Sequence, residues 1–423
     1  MRSRERGRKM FSTWGAIAGL AIAIVLIIRK VVPAYALIFG ALAGGLLGGG
    51  GLVETVNAMI DGTKGMMPSV LRILASGVLV GALVKTGSAA KIADAIVSAL
   101  GTRFALAAIA VATMIVCAVG VFIDISVITV APVALAVGRK AKLPVPALLL
   151  AMIGGGKAGN VISPNPNTIA AADAFKVDLT SLMAANLIPA ACALVAAVLF
   201  ATIIAKRGKG CAVSEGGDAG GDAGLPNVFA ALAGPLVVVA LLALRPVFDV
   251  KIDPLIALPV GGIVSILACG AWRETVSYSE FGLGKVTGVA ILLVGTGTVA
   301  GIVKGSGLNA DMISLLQRLD LPMMALAPIA GVVMAGATAS TTAGATLAAQ
   351  TFSGPLLAAD VPALSAAAMI HAGATVVDSL PHGSFFHATG GAVFMSVKDR
   401  LRLIPWEAAV GLVSTLVATA LAG

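Results

Sequence analysis

Apolar and polar positions along this chain alternate on the scale of whole membrane crossings. Runs long enough to cross roughly 30 Å of hydrocarbon recur along its length, parted by short polar loops. In the first half the pattern predicts spans near 11–28, 33–52 and 66–84, then a short amphipathic stretch at 88–100. An apolar segment with a polar tip follows at 104–139, then a long interrupted span at 144–176 and a final helix at 181–205. The second half repeats the order at 227–245, 252–270, 284–303, 308–318, 322–352, 361–397 and 405–422. Residues 1–10 form a basic arm. Residues 206–226, "KRGKGCAVSEGGDAGGDAGLP", are hydrophilic and Gly-rich and read as a flexible linker.

The two halves also match in their letters. "VPALLLAMI" from Val145 finds "VPALSAAAMI" from Val361, and "GALVKTGSAAKIADAI" from Gly81 finds "AGIVKGSGLNADMISLL" from Ala300. Offsets near 215 to 219 residues persist along the chain, the mark of an internal duplication. If each polar-tipped segment dips into the membrane and returns, each half crosses five times. An odd number of crossings turns the second copy upside down. The expected fold is therefore an all-α polytopic membrane protein of two inverted repeats, 11–205 and 227–423. Each carries a re-entrant hairpin and an unwound, discontinuous helix.

Composition agrees with a membrane solvent. Of 423 residues 58% are hydrophobic and 12% charged, about half the charge a soluble domain carries. The formal charge of +9 fits basic loops facing an anionic leaflet; its scatter between apolar runs speaks against nucleic-acid binding. Cys117, Cys192, Cys211 and Cys269 lie too far apart for a disulfide framework or a metal spacing. The first apolar run follows basic residues as a signal peptide would, but no cleavage site and soluble domain come after it. Loop Lys and Arg are more numerous on one side, which orients the N-terminus outside, although the basic arm pulls the other way.

Candidate chemistry sits where the helices break. "GNVISPNPNT" (159–168) places two prolines and three asparagines inside an apolar span, and "DSLPHGS" (378–384) stands at the matching place in the second half. Non-helical backbone at membrane depth survives only where protein or a watery cavity satisfies it. Transporters use such breaks to aim amides, carbonyls and helix ends at ions and anions. One break alone could be a proline kink; two at matching places favour a binding site. The hairpin tips, "FIDIS" (122–126) and "TASTTAGAT" (338–346), align Asp124 with Ser340 and Ser126 with Thr342. Small hydroxyl residues there either donate to a carboxylate or glue helices together, and for Thr346 the two readings weigh equally.

The expected substrate-binding set is Asp124, Ser126, Lys157, Asn160, Ser163, Asn165, Asn167 and Thr168 from the first half. From the second come Ser340, Thr341, Thr342, Ser379 and Ser384. Asp124, Asp378 and His382 are candidates for proton coupling; the Asp378–His382 pair could titrate near neutral pH or simply cap broken helix ends. Lys157 either binds a substrate carboxylate or pairs with Asp124. Arg72 is an anion-site candidate or buried glue. His371 and His387, on helical flanks, are expected to be packing residues.

With these motifs in view, the chain resembles the ion transporter superfamily. "DSLPHGSFFHATGG" is similar to the "D-[ST]-LPH" signature of gluconate permease-type (GntP-type) symporters. The resemblance implies proton-coupled import of a gluconate-like sugar acid or hydroxycarboxylate by a dimer in the bacterial inner membrane, by elevator-like alternating access. The family's usual "PPHPGP" is replaced at the first break by Ser163 to Thr168, so gluconate itself is not implied. Sodium coupling is the nearest alternative, because "NPNT" offers suitable oxygens. An anion channel or intramembrane enzyme is more remote: no zinc-protease motif, nucleophile elbow or ATP-binding loop is present. The expectation is a transporter without catalytic residues, cofactor or resident metal, using H+ or else Na+ as coupling ion.

Overall fold

The computed structural model describes residues 10–207, 224–248, 250, 252–308, 311, 314, 322–381 and 383–422. Most of the expected linker and the second amphipathic stretch lie outside the described residues. Described secondary structure is helical, apart from an isolated bridge between Phe11 and Ser306. In the first half the helices are α1 (Thr13–Ile28), α2 (Pro33–Leu47), α3 (Leu52–Lys64), α4 (Met67–Lys85), α5 (Ser88–Leu100), α6 (Ala105–Ala118), α7 (Ile123–Lys140), α8 (Val145–Val161), α9 (Pro166–Phe175), α10 (Leu179–Ala185) and α11 (Leu187–Arg207). In the second they are α12 (Val228–Phe248), α13 (Pro254–Ala268), α14 (Thr275–Gly305), α15 (Leu326–Thr338), α16 (Thr341–Ala358), α17 (Ala363–Gly373), α18 (Ser384–Ala392) and α19 (Val397–Ala422).

The pattern of apolar runs misses α3. Glu54, Asn57, Asp61 and Lys64 interrupt the hydrophobic run and are exposed, with Lys64 and Asp61 paired at 2.8 Å. Its small inner face, Thr55, Ala58, Met59 and Gly62, packs on α14, while Leu52, Val53, Val56 and Ile60 stay exposed.

α1–α4 and α12–α14 form one packed group. α14 runs antiparallel across α3 and α4: Gly301 lies beside Ala58, Gly297 beside Thr63, Gly282 beside Gly77 and Tyr278 beside Gly81. A Cβ on Gly282 would stand 1.8 Å from the Gly77 carbonyl oxygen, so the two backbones touch. In lipid, where helix association rests on close packing, that contact cannot widen cheaply. Gly282→Ala should force α4 and α14 apart and cost about 1–3 kcal/mol. Purified variant should melt several degrees below wild type; equal melting would show that the contact can relax.

The second group holds the helices that turn back or break. α6 and α7 meet at a tight tip where Gly120 takes φ 111°; α15 and α16 meet at a tip where Ala339 takes φ 47°. α8 and α9 are parted at residues 162–165, and α17 and α18 at residues 374–383. Hairpins and breaks cross over between halves, since α7 packs on α18 and α16 packs on α9. The run from Val145 to Phe175 is 89% buried in its most apolar stretch against 33% for α11, which puts the first break at the centre of the protein and α11 at its rim.

Candidate functional site

Proline chemistry explains the first break. Pro164 has no amide to donate back along α8, and Pro166 suits the first position of a new helix. Asn165 caps that helix: its Oδ1 accepts from the amides of Asn167 (2.9 Å) and Thr168 (3.1 Å). Its Nδ2 donates to the Asn160 carbonyl (3.0 Å) and to Asn160 Oδ1 (2.7 Å), which also receives Asn167 Nδ2 at 3.0 Å. Thr168 Oγ1 donates to the Ser163 carbonyl at 2.6 Å. The asparagines thus satisfy the broken backbone and one another. Two polar atoms are left over: Asn167 Oδ1 and Ser163 Oγ are buried and have no protein partner among the described residues.

The second break is organised by charge. Asp378 accepts from Lys157 Nζ (2.8 Å), Thr341 Oγ1 (2.6 Å) and Ser379 Oγ (3.0 Å). Lys157 also donates to the carbonyls of Thr375 (2.5 Å) and Glu407 (3.2 Å). Lys157 therefore pairs across the two breaks with Asp378. It pairs neither with Asp124, one of its expected partners, nor lines the cavity described below. The reason is reach: α8 carries Lys157 toward the Thr375 carbonyl of the unwound segment and the Glu407 carbonyl of α19, while Asp124 lines that cavity. His382 lies outside the described residues.

Between the tips and breaks lies a cavity of about 860 Å³, the size of a small-molecule site. Asp124, Asn160, Asn167, Ser340, Thr341, Thr342 and Ser384 line it, so both halves and both hairpins contribute walls. Ser126 is buried beside the Cys117 thiol, and Ser163, Asn165, Thr168, Asp378 and Ser379 stand behind the wall and hold it. On the opposite side the cavity meets the first group of helices, at the α1–α2 junction and at Lys285 to Leu292 of α14. Helices α7, α9, α16 and α18 begin at or beside it, and their dipoles favour negative charge, although the first-turn amides of α9 are already taken by Asn165.

Several expectations from sequence change here. Arg72 is glue: it holds Asp253, the cap of α13, with Nη2 at 2.7 Å and also bonds Asp173 of α9, which accepts from Ser69 at 2.5 Å. His387 is more than packing, since it lines the cavity and its Nε2 donates to the Pro381 carbonyl at 2.9 Å. His371 is fully buried, with Nε2 at 3.4 Å from Asn160 Nδ2, directly behind the first break. Thr338, at the start of the expected second tip, lines the cavity, as do Lys30 and Lys285, which the sequence does not single out. The two lysines sit in ordinary-looking basic loops or helix faces, and no local signal separates them from other surface cations. Arg400 and Glu407, both in α19, form a buried ion pair beside Thr389 Oγ1 (3.2 Å) and the Phe386 ring (4.9 Å).

Known proteins share this architecture. The model of the GntP family permease matches residues 12–422. An uncharacterized transporter of Haemophilus influenzae is 52% identical over 417 residues, 97% of this chain and 98% of its own. The D-serine transporter DsdX of Escherichia coli is 21% identical over 362 residues, covering 79% and 81%. Among solved structures, the YdaH transporter of Alcanivorax borkumensis has the same fold, with a TM-score of 0.68 at 14% identity over 96% of this chain and 98% of that one. Related permeases occupy bacterial inner membranes, and apolar helices recur through this chain in the same way. The chain belongs to the GntP permease family, a multi-pass transport protein of the bacterial inner membrane and not an enzyme.

Proposed function

We propose that this permease is a secondary active transporter that imports a small organic anion, a sugar acid or hydroxycarboxylate, by proton symport. The cavity carries the reading: both hairpin tips and both breaks wall it, and the N-termini of α16 and α18 bring amides to it without a cluster of arginines. Those amides suit a carboxylate. The hydroxyls of Ser340, Thr342 and Ser384 suit a guest that carries hydroxyl groups of its own. A relative that transports D-serine, a small hydroxylated carboxylate, supports that size and polarity.

The two halves act as inverted repeats in alternating access. Their matching element order and the antiparallel run of α4 along α14 support this. An elevator-like slide of the hairpin and broken-helix group is supported by the position of the cavity on the boundary between that group and the glycine-packed one. Two copies assemble in the membrane, as the resemblance to dimeric symporters implies. Proton coupling falls on Asp124, the carboxylate that lines the cavity, with Asp378 held behind it.

Uptake of labelled sugar acids and hydroxy acids into proteoliposomes, with pH and sodium gradients imposed separately, tests the reading. Accumulation should follow the pH gradient. Asp124→Asn should reduce pH-driven accumulation at least about tenfold while leaving counterflow measurable. Uptake driven by sodium and indifferent to pH would defeat proton symport, and unchanged accumulation by Asp124→Asn would clear Asp124.

A further inference from the structure

We propose that Lys157 is a tethered cation: its ammonium fills a monovalent-cation site between the two breaks, and that site takes sodium once the ammonium is removed.

The ammonium has three protons and finds three oxygen acceptors, Asp378 Oδ1, Thr375 O and Glu407 O, at 2.8, 2.5 and 3.2 Å. Two of these are main-chain carbonyls. Thr375 lies in the unwound segment, where the carbonyl has left its helix. A carboxylate with two main-chain carbonyls and nearby hydroxyls is an all-oxygen donor set, the chemistry that suits hard cations. Lys157 is 2% accessible and Asp378 1%, so bulk cations do not reach the pair as it stands. An ordinary buried ion pair needs only its two side chains. Here main-chain oxygens bind the cation as well, one from the unwound segment and one from within α19.

The site is joined to the cavity through a single hydroxyl. Thr341, at the start of α16, lines the cavity and donates to Asp378 Oδ2 at 2.6 Å. The hairpin tip is thereby held by a carboxylate whose charge is balanced from inside the protein. A free cation here would have to bind before the tip could be held; with Lys157 in place it is always bound. Sodium is then not required at this half of the site, and coupling is left to protons elsewhere. This last consequence rests on the transport reading above, whereas the cation site does not.

Melting of purified protein in sodium chloride and in choline chloride at equal ionic strength reads the site directly. Wild type should melt alike in both salts. Lys157→Ala, which leaves Asp378 buried without a partner charge, should melt several degrees higher in sodium, or survive extraction in sodium alone. The double variant Lys157→Ala/Asp378→Asn should show no sodium response. No response from Lys157→Ala overturns the proposal, as does its failure to survive in either salt, because sodium would have restored the missing charge. A sodium response from wild type or from the double variant overturns it as well. In proteoliposomes, uptake by Lys157→Ala should be about tenfold faster with sodium than with choline, against a ratio near one for wild type. If wild type carries no carboxylate at all, the transport reading fails while the melting result still decides the cation site.

Discussion

Arg400→Ala should lower the stability of the purified protein by about 3–5 kcal/mol. The guanidinium and the Glu407 carboxylate are 1% and 0% accessible, and Arg400 also donates to Thr389 and lies over the Phe386 ring. Removing the cation strands a carboxylate where neither water nor another cation can reach it. Glu407 has a second duty, because its main-chain carbonyl accepts from Lys157. Tilting α19 to relieve the stranded charge would therefore disturb the pair at the second break. Replacing both partners by leucine removes the charges together and should recover most of the loss, since well-packed apolar residues often match a buried pair. Thermal unfolding in detergent checks both variants. A single variant as stable as wild type would mean that the carboxylate finds another partner.

Asn165→Ala should nearly abolish transport, by at least about a hundredfold, while the protein still inserts and purifies. The cap it removes is worth about 1 kcal/mol. Its Nδ2 bonds to Asn160 add about 0.5–1.5 kcal/mol each, since Asn160 Oδ1 keeps its bond from Asn167 Nδ2. These losses fall on the wall of the cavity: Asn160 and Asn167 line it, and both depend on Asn165 for their orientation. Asn165→Ser keeps an oxygen to cap α9 but cannot donate to Asn160, so its activity should fall between alanine and wild type. Initial uptake rates, set against the amount of protein reconstituted, separate the three. Wild-type rates from the alanine variant would show that the amide cluster does not shape the site.

The breaks were legible because helix-ending chemistry is local. Pro164, Pro166 and the capping Asn165 act within a few residues, and the sequence shows them together. The hydroxyls of Ser340 to Thr342 could be read for the same reason, and they do line the cavity. What a charge pairs with is a different matter. Lys157 meets Asp378, and Arg72 meets Asp173 and Asp253, across separations of 221, 101 and 181 residues. Only the packing of helices decides such pairings, and an isolated cation in an apolar run announces that a partner exists without naming it. α3 escaped notice because Glu54, Asn57, Asp61 and Lys64 make its sequence resemble a loop until α14 packs on its small residues. The lysines facing the cavity gave no warning, since nothing in their neighbours distinguishes them.

The crossing-over of hairpins and breaks has a consequence for how this protein can change. Each half closes over a helix supplied by the other, with α7 on α18 and α16 on α9. A chimaera joining the first half of this chain to the second half of a distant permease would inherit two mismatched seams, even if each half folded faithfully. Substitutions accepted on one side are conditioned by residues some two hundred positions away, so new specificity has to be acquired in both halves together.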